Sequence, residues 1–145
     1  MDLGLKGKVA IVLAASKGLG RASAMALAAE GAAVVIGARN AQVLEETARH
    51  IQGETGSQVL AVPTDVTKPE NLEAIVAEAI HTFGYVDILV NNAGGPPPGT
   101  FEKFGDAQWL TAFELNLLSA VRMIRLVLPH MAYQCIPDEK VRCAI

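Results

Sequence analysis

Aromatic side chains are scarce in this 145-residue sequence: one Trp, two Tyr and four Phe. Its core must therefore come from Ala, Val, Leu and Ile, the composition of an α/β interior. Cysteine is nearly absent, and Cys135 and Cys143 both fall in the last eleven residues with no histidine cluster beside them. That excludes a disulfide framework and a metal site, and leaves two ordinary thiols. No apolar run approaches 18 residues, which excludes a spanning helix. The opening Met1-Asp2-Leu3-Gly4-Leu5-Lys6 lacks the basic and apolar regions of a signal peptide, so the expected setting is soluble and cytoplasmic. An excess of positive charge is missing too. Twelve Lys and Arg stand against fifteen Asp and Glu, interspersed, for a net charge of −3. With no basic stripe, nucleic acid is not an expected partner. Neither repeats nor low-complexity segments occur.

What is present is an apolar, foldable chain. It is 51% hydrophobic and 19% charged, which argues against disorder. A chain of this length fits one domain and can bury about two thirds of its unfolded surface.

The stretch Val9-Ala10-Ile11-Val12-Leu13-Ala14-Ala15-Ser16-Lys17-Gly18-Leu19-Gly20-Arg21 organises the rest. An apolar run of the kind buried on both faces of a sheet leads into small residues and a Gly-x-Gly pair. An Ala-rich helix follows, closed by Gly31. Strand, glycine turn and helix N-terminus together form an anion cradle, because glycine lets backbone approach a phosphate and the first helical N–H groups attract it. Only Gly18 and Gly20 of the full G-x-G-x-x-G fingerprint are present, so a plain tight turn stands beside phosphate binding as a reading of this stretch alone.

Alternation continues downstream. A second strand is expected at 33–38 and a helix capped by Asn40 at about 41–52, ended by Gly53 and Gly56. A third strand spans 58–62, stopped by Pro63. Thr67-Lys68-Pro69-Glu70 then opens a helix whose Leu72, Ile75, Val76, Ala79, Ile80 and Phe83 share one face up to Gly84. The fourth strand is 86–90. Short joints between strands and amphipathic helices mean parallel βαβ units in a Rossmann-like, doubly wound α/β fold, a three-layer sandwich with helices on both faces and strand order 3-2-1-4. The loop Asn91-Asn92-Ala93-Gly94-Gly95-Pro96-Pro97-Pro98-Gly99 follows strand four, at the switch-point crevice where such sheets bind ligands. A long helix is expected from 106 to 131, with Trp109, Phe113, Leu117, Ala120, Val121, Ile124 and Leu128 as its apolar face. His50, His81 and His130 read as surface residues.

Four separated elements resemble the short-chain dehydrogenase/reductase family of NAD(P)(H)-dependent oxidoreductases. They are Ala14-Ala15-Ser16-Lys17-Gly18-Leu19-Gly20, where the family has Thr-Gly-x-x-x-Gly-x-Gly, then Asp65-Val66, Asn91-Asn92-Ala93-Gly94, and Asn116 in the long helix. The likeness covers residues 6 to about 131 and is similar to members described as 3-oxoacyl-acyl-carrier-protein reductase-like. It implies that Ser16, Lys17, Gly18, Leu19 and Gly20 wrap the pyrophosphate and adenosine phosphate. Asp65 would accept from the adenine amino group, although a turn or cap carboxylate before Thr67 is its structural alternative, and Val66 would offer a backbone contact. Asn91, Ala93 and Gly94 would line the nicotinamide ribose. Asn116, a poor helix-interior residue, would hold a water in the proton relay. Leu13 and Ala14 depart from the family's Thr and Gly, and the added methyl of Ala14 is expected to keep φ negative there.

Cofactor choice is legible. An NAD enzyme needs an acid at the end of strand two for the ribose 2′-hydroxyl; here Ala38 and Arg39 stand there. Arg39 suits a 2′-phosphate, with Lys17 as a second cation, so NADP(H) is expected over NAD(H). A methyltransferase of similar fold would also want the missing acid.

The family's catalytic Ser and Tyr-x-x-x-Lys have no counterpart in the sequence. Its tyrosines are Tyr85 and Tyr133, and Pro137 stands four residues after Tyr133. Past Met131 the pattern changes abruptly, glycines vanish and both cysteines appear. The expectation is a truncated or frame-shifted reductase: a cofactor-binding domain at 1–131, a divergent tail at 132–145, and 141–145 as candidate for an irregular fifth strand. Such a chain would transfer hydride to or from a carbonyl or alcohol substrate only when completed. The alternatives are a non-catalytic NADPH-binding module or half of a split enzyme, with self-association through the long helix or the exposed edge of strand four.

Overall fold

A computed structural model of the chain describes residues 3–95 and 98–131. The proposed tail, both cysteines, Tyr133, the fifth-strand candidate at 141–145 and two of the three successive loop prolines lie outside the described residues.

Four parallel strands form one sheet: β1 (Val9–Leu13), β2 (Ala33–Ala38), β3 (Val59–Pro63) and β4 (Ile88–Val90). Their order is β3-β2-β1-β4, as the alternating pattern requires. β1 is central and every one of its residues is buried. Successive strand side chains point to opposite faces, and this splits the core in two. Ile11, Leu13 and Val35 meet Leu72, Ile75, Val76 and Ala79 of α3 (Pro69–Phe83). Val12, Val34 and Ile36 meet Ala24 and Ala28 of α1 (Gly18–Ala29), with Leu44, Ala48 and Ile51 of α2 (Ala41–Thr55). Helices therefore cover both faces.

Local chemistry sets the element ends. Asn40 caps α2, its side chain accepting from the Val43 N–H at 3.0 Å. Gly56 ends α2, so Gly53, expected to stop the helix, lies inside it. Pro69 opens α3 at a position where its missing N–H costs no helical bond. β3 is an edge strand and tolerates Pro63 as its last residue. A methyl built on Gly37 of β2 would lie 2.7 Å from Ile75 Cδ1, so the end of the Ile75 side chain would have to shift to admit one.

The amino ends of the strands are tied separately. Asp87 accepts from the Val9 N–H at 2.9 Å and from Lys8 Nζ at 3.3 Å. Tyr85 donates its hydroxyl proton to the Gly7 carbonyl at 2.8 Å.

The expected single long helix is wound in two registers. α4 (Asp106–Phe113) passes through a π-helical turn (Glu114–Leu118) into α5 (Ser119–Val127), followed by a short 3₁₀ turn at Leu128–His130. The predicted apolar face does not hold. Trp109, Phe113 and Leu117 are 51%, 54% and 50% exposed, whereas Ser119, Met123 and Val127 are the buried set. Val121 and Leu128, past the π turn, are exposed as well, so the expected stripe faces outward along its length and a different face of α5 meets the core. Phe101 and Trp109 pack against each other with ring centroids 5.8 Å apart.

At the outer edge of β4, Val86 and Met131 form an isolated parallel bridge, with the Val86 N–H on the His130 carbonyl at 3.2 Å. No helix among the described residues is long and apolar enough to cross a membrane. The three histidines are exposed, as expected.

Because Ile75 joins α3 to β2 at full burial, Ile75→Ala is expected to lower unfolding free energy by about 2–5 kcal/mol, measured by denaturant titration.

Candidate functional site

Parallel pairing with the register Leu13↔Gly37, Ala38↔Pro63 and Val12↔Val90 brings the carboxyl ends of all four strands to one edge. The loops after β1, β2, β3 and β4 carry Ser16–Gly20, Arg39, Asp65–Val66 and Asn91–Gly94 respectively. Each residue singled out in the sequence except Asn116 thus reaches this edge through the loop after a strand. Asn116 arrives from the π turn. It shares an open cleft of about 240 Å³ with Leu13, Asn91, Asn92, Ala93, Ser119 and Ala120.

Ala14 leaves β1 with φ at 48°, against the expected negative value. Left-handed backbone is disfavoured for alanine, and here the surroundings impose it. The Ala15 N–H donates to the Gly37 carbonyl at 3.0 Å, and Asn92 Nδ2 donates to the Ala14 carbonyl at 3.4 Å. Both ends of one peptide group are therefore held. Gly20 is required by the same packing, because a methyl there would lie 2.5 Å from the Ala14 oxygen and 2.8 Å from Asn92 Nδ2.

Within the loop Gly20 is buried, while Lys17, Gly18 and Leu19 are exposed, Leu19 at 82%. Arg39 is also exposed, directly after buried Ala38. The ion pairs among the described residues join Lys8 to Asp87 and Glu114 to Arg122; Lys17 and Arg39 are in neither.

Asp65 is engaged locally. Its Oδ1 accepts from the Thr67 N–H at 3.0 Å and the Thr67 hydroxyl at 2.8 Å, while its own N–H donates to Asn71 Oδ1 at 3.0 Å. The two Thr67 donors hold its carboxyl below the usual carboxylate value; burial opposes them, and the nearby charges of Arg39 and Lys68 add lesser lowering effects. The turn role weighed for Asp65 is thus present, and its second oxygen is not committed to these bonds. Val66 is buried beside it.

Asn116 turns its side-chain amide back to the Ala112 carbonyl at 3.0 Å. It sits within the π turn Glu114–Leu118, a rare local winding that appears often at functional sites. Two polar residues had no role assigned from the sequence. Asn92 was visible only as half of the Asn91-Asn92 pair. Thr47 showed itself only as a polar residue at a core position between Leu44, Ala48 and Ile51.

Comparison with known proteins agrees with this layout. The family model for short chain dehydrogenase matches residues 8–136. The chain belongs to the short chain dehydrogenase family. The family's proteins bind a nicotinamide cofactor. Among family relatives, the chain is 37% identical over 128 residues to Dehydrogenase/reductase SDR family member 4 of Caenorhabditis elegans, covering 88% of this chain and 49% of that protein. It is 39% identical over 130 residues to 7alpha-hydroxysteroid dehydrogenase of Escherichia coli strain K12, covering 90% and 50%. Among solved structures, L-sorbose reductase from Gluconobacter frateurii, complexed with NADPH and L-sorbose, superposes with a TM-score of 0.86 at 41% identity. That match covers 90% of this chain and 50% of the reductase. The chain spans about half the length of the family relatives it matches.

The left-handed strain at Ala14 makes a simple prediction. Ala14→Gly is expected to raise unfolding free energy by about 1 kcal/mol, read as a higher midpoint in thermal or denaturant unfolding.

Proposed function

We propose that this chain is the NADP(H)-holding half of a reductase, able to bind the cofactor and dependent on further residues for hydride transfer. The observation that carries the reading is Arg39: exposed, outside the ion pairs, and placed at the carboxyl end of β2 where an NAD enzyme needs an acid. The guanidinium grips a 2′-phosphate with two parallel N–H bonds, and Lys17 adds a second cation from the glycine loop. Ser16, Gly18, Leu19 and Gly20 surround the pyrophosphate at the amino end of α1, where the helix dipole favours an anion. The free oxygen of Asp65 and the backbone of Val66 receive the adenine. Asn91, Ala93 and Gly94 flank the nicotinamide ribose in the cleft after β4. Asn116 holds a water at the π turn.

The bound nicotinamide supplies or receives the hydride. General acid chemistry at the substrate oxygen needs a titratable group, and the residues lining the cleft include neither an acid nor a base. Tyr85 is bonded to Gly7 at the opposite edge of the sheet. The proton donor for a carbonyl or alcohol substrate must therefore come from beyond this half, whether from a completed reductase or a separate chain. A purely cofactor-binding module remains the second reading, favoured by that same cleft lining.

The exposed stripe Trp109, Leu110, Phe113, Leu117 and Val121, together with the three-residue edge strand β4, supports self-association. Light scattering coupled to size exclusion is expected to show a dimer or larger species. Phe113→Glu is expected to shift it toward monomer, and a parent chain that is a clean monomer would count against this part of the proposal.

Titration with NADPH and NADH tests the cofactor assignment. The parent chain is expected to prefer NADPH, and Arg39→Ala to weaken NADPH about 10- to 100-fold, the range of a hydrogen bond to a charged group. NADH affinity should hardly change. Equal affinity for the two cofactors in the parent would overturn it.

A further inference from the structure

The loop after β1 receives a side-chain hydrogen bond from α2. Thr47 is 5% exposed and lies in a row of apolar neighbours, where an unbonded hydroxyl is unfavourable. Its Oγ1 sits 2.8 Å from the Val43 carbonyl and 3.1 Å from the Ser16 carbonyl. The hydroxyl has one proton to share between them. The Val43 carbonyl already receives the N–H of residue 47 as part of the regular α2 helix. The Ser16 carbonyl is thus the acceptor that depends on the hydroxyl.

The consequence follows from peptide geometry. No cis peptide bond occurs among the described residues, and in a trans peptide the carbonyl and the following N–H point in opposite directions. A Ser16 carbonyl held toward buried α2 sends the Lys17 N–H away from α2, to the exposed side of the loop. Two units earlier, the Ala14–Ala15 peptide is fixed in the same manner, by Asn92 at its carbonyl and Gly37 at its N–H. Two peptide groups of the loop, 14–15 and 16–17, are thus anchored by groups outside it.

We propose that Thr47 is a positioning residue for cofactor binding: its buried hydroxyl holds the Ser16 carbonyl so that the Lys17 N–H faces the cofactor's phosphates. This rests on the NADP(H) reading above. Without the hydroxyl, the 16–17 peptide is free to rotate and its N–H must be ordered at the moment of binding.

The test titrates the complete chain with NADPH, comparing the parent with Thr47→Val, Thr47→Ser and Thr55→Val. Valine keeps the shape of Thr47 and removes the hydroxyl, while serine restores it. Thr55, also on α2, donates to the Ile51 carbonyl of its own helix at 2.7 Å and accepts from the Ser57 N–H at 3.2 Å, both away from the β1 loop, so it reports loss of an α2 hydroxyl remote from that loop. Thr47→Val is expected to raise the Kd about 3- to 10-fold, the effect of one net hydrogen bond. Thr47→Ser and Thr55→Val should stay near the parent. Parental affinity in Thr47→Val, or an equal loss in Thr55→Val, would overturn the proposal while leaving the cofactor reading intact. A parent chain that binds no NADPH would overturn both, so the two failures are distinguishable. Circular dichroism checks folding, and if the valine variant does not fold, Thr47→Ala carries the same comparison.

Discussion

The burial of β1 on both faces is the constraint on which the rest of the structure depends. A strand with no polar side chain and no open edge must be flanked by strands and covered by helices on each side. Parallel neighbours then follow from the crossover helices, and parallel neighbours place every strand's carboxyl end at one edge. The functional edge is a by-product of that arrangement. Arg39, Asp65 and Asn91 are far apart in sequence, and they come to the same edge because β2, β3 and β4 all run beside β1 in the same direction.

At that edge the chain tolerates local strain to keep backbone groups in place. Ala14 is held left-handed between Gly37 and Asn92, and Gly20 has no side chain because the Ala14 oxygen already fills the space. The loop is thus determined by groups contributed from three directions: β2, the β4 loop and α2. Such over-determination suits a site that presents N–H groups to an anion, since donors ordered beforehand need not be ordered on binding.

The π turn illustrates a different trade-off. It carries Asn116 to the cleft, and beyond it Met123 and Val127 face inward while Trp109, Phe113, Leu117 and Val121 face outward. The Glu114–Arg122 pair bridges the turn at 3.2 Å, but both side chains are partly exposed, so it contributes little stability. Among the described residues, nothing covers the apolar face of α4.

The sequence by itself determined the element order, the strand order and the edge where the site lies. Hydrophobic period distinguishes buried strands from amphipathic helices, glycine and proline mark their ends, and parallel connectivity leaves few topologies. It also determined which residue stands at the end of β2, because that depends only on counting from the glycine loop. Tertiary structure decided what local pattern does not encode. The backbone angle at Ala14 is set by Gly37 and Asn92, which are distant in sequence, and they override alanine's own preference. Periodicity finds an apolar stripe on α4 and α5, but both sides of α5 carry apolar residues, and only packing against α3 makes Met123 and Val127 the inward set. Thr47 lies in a row of core positions on α2, and only the folding of α2 against the β1 loop reveals that its hydroxyl reaches Ser16.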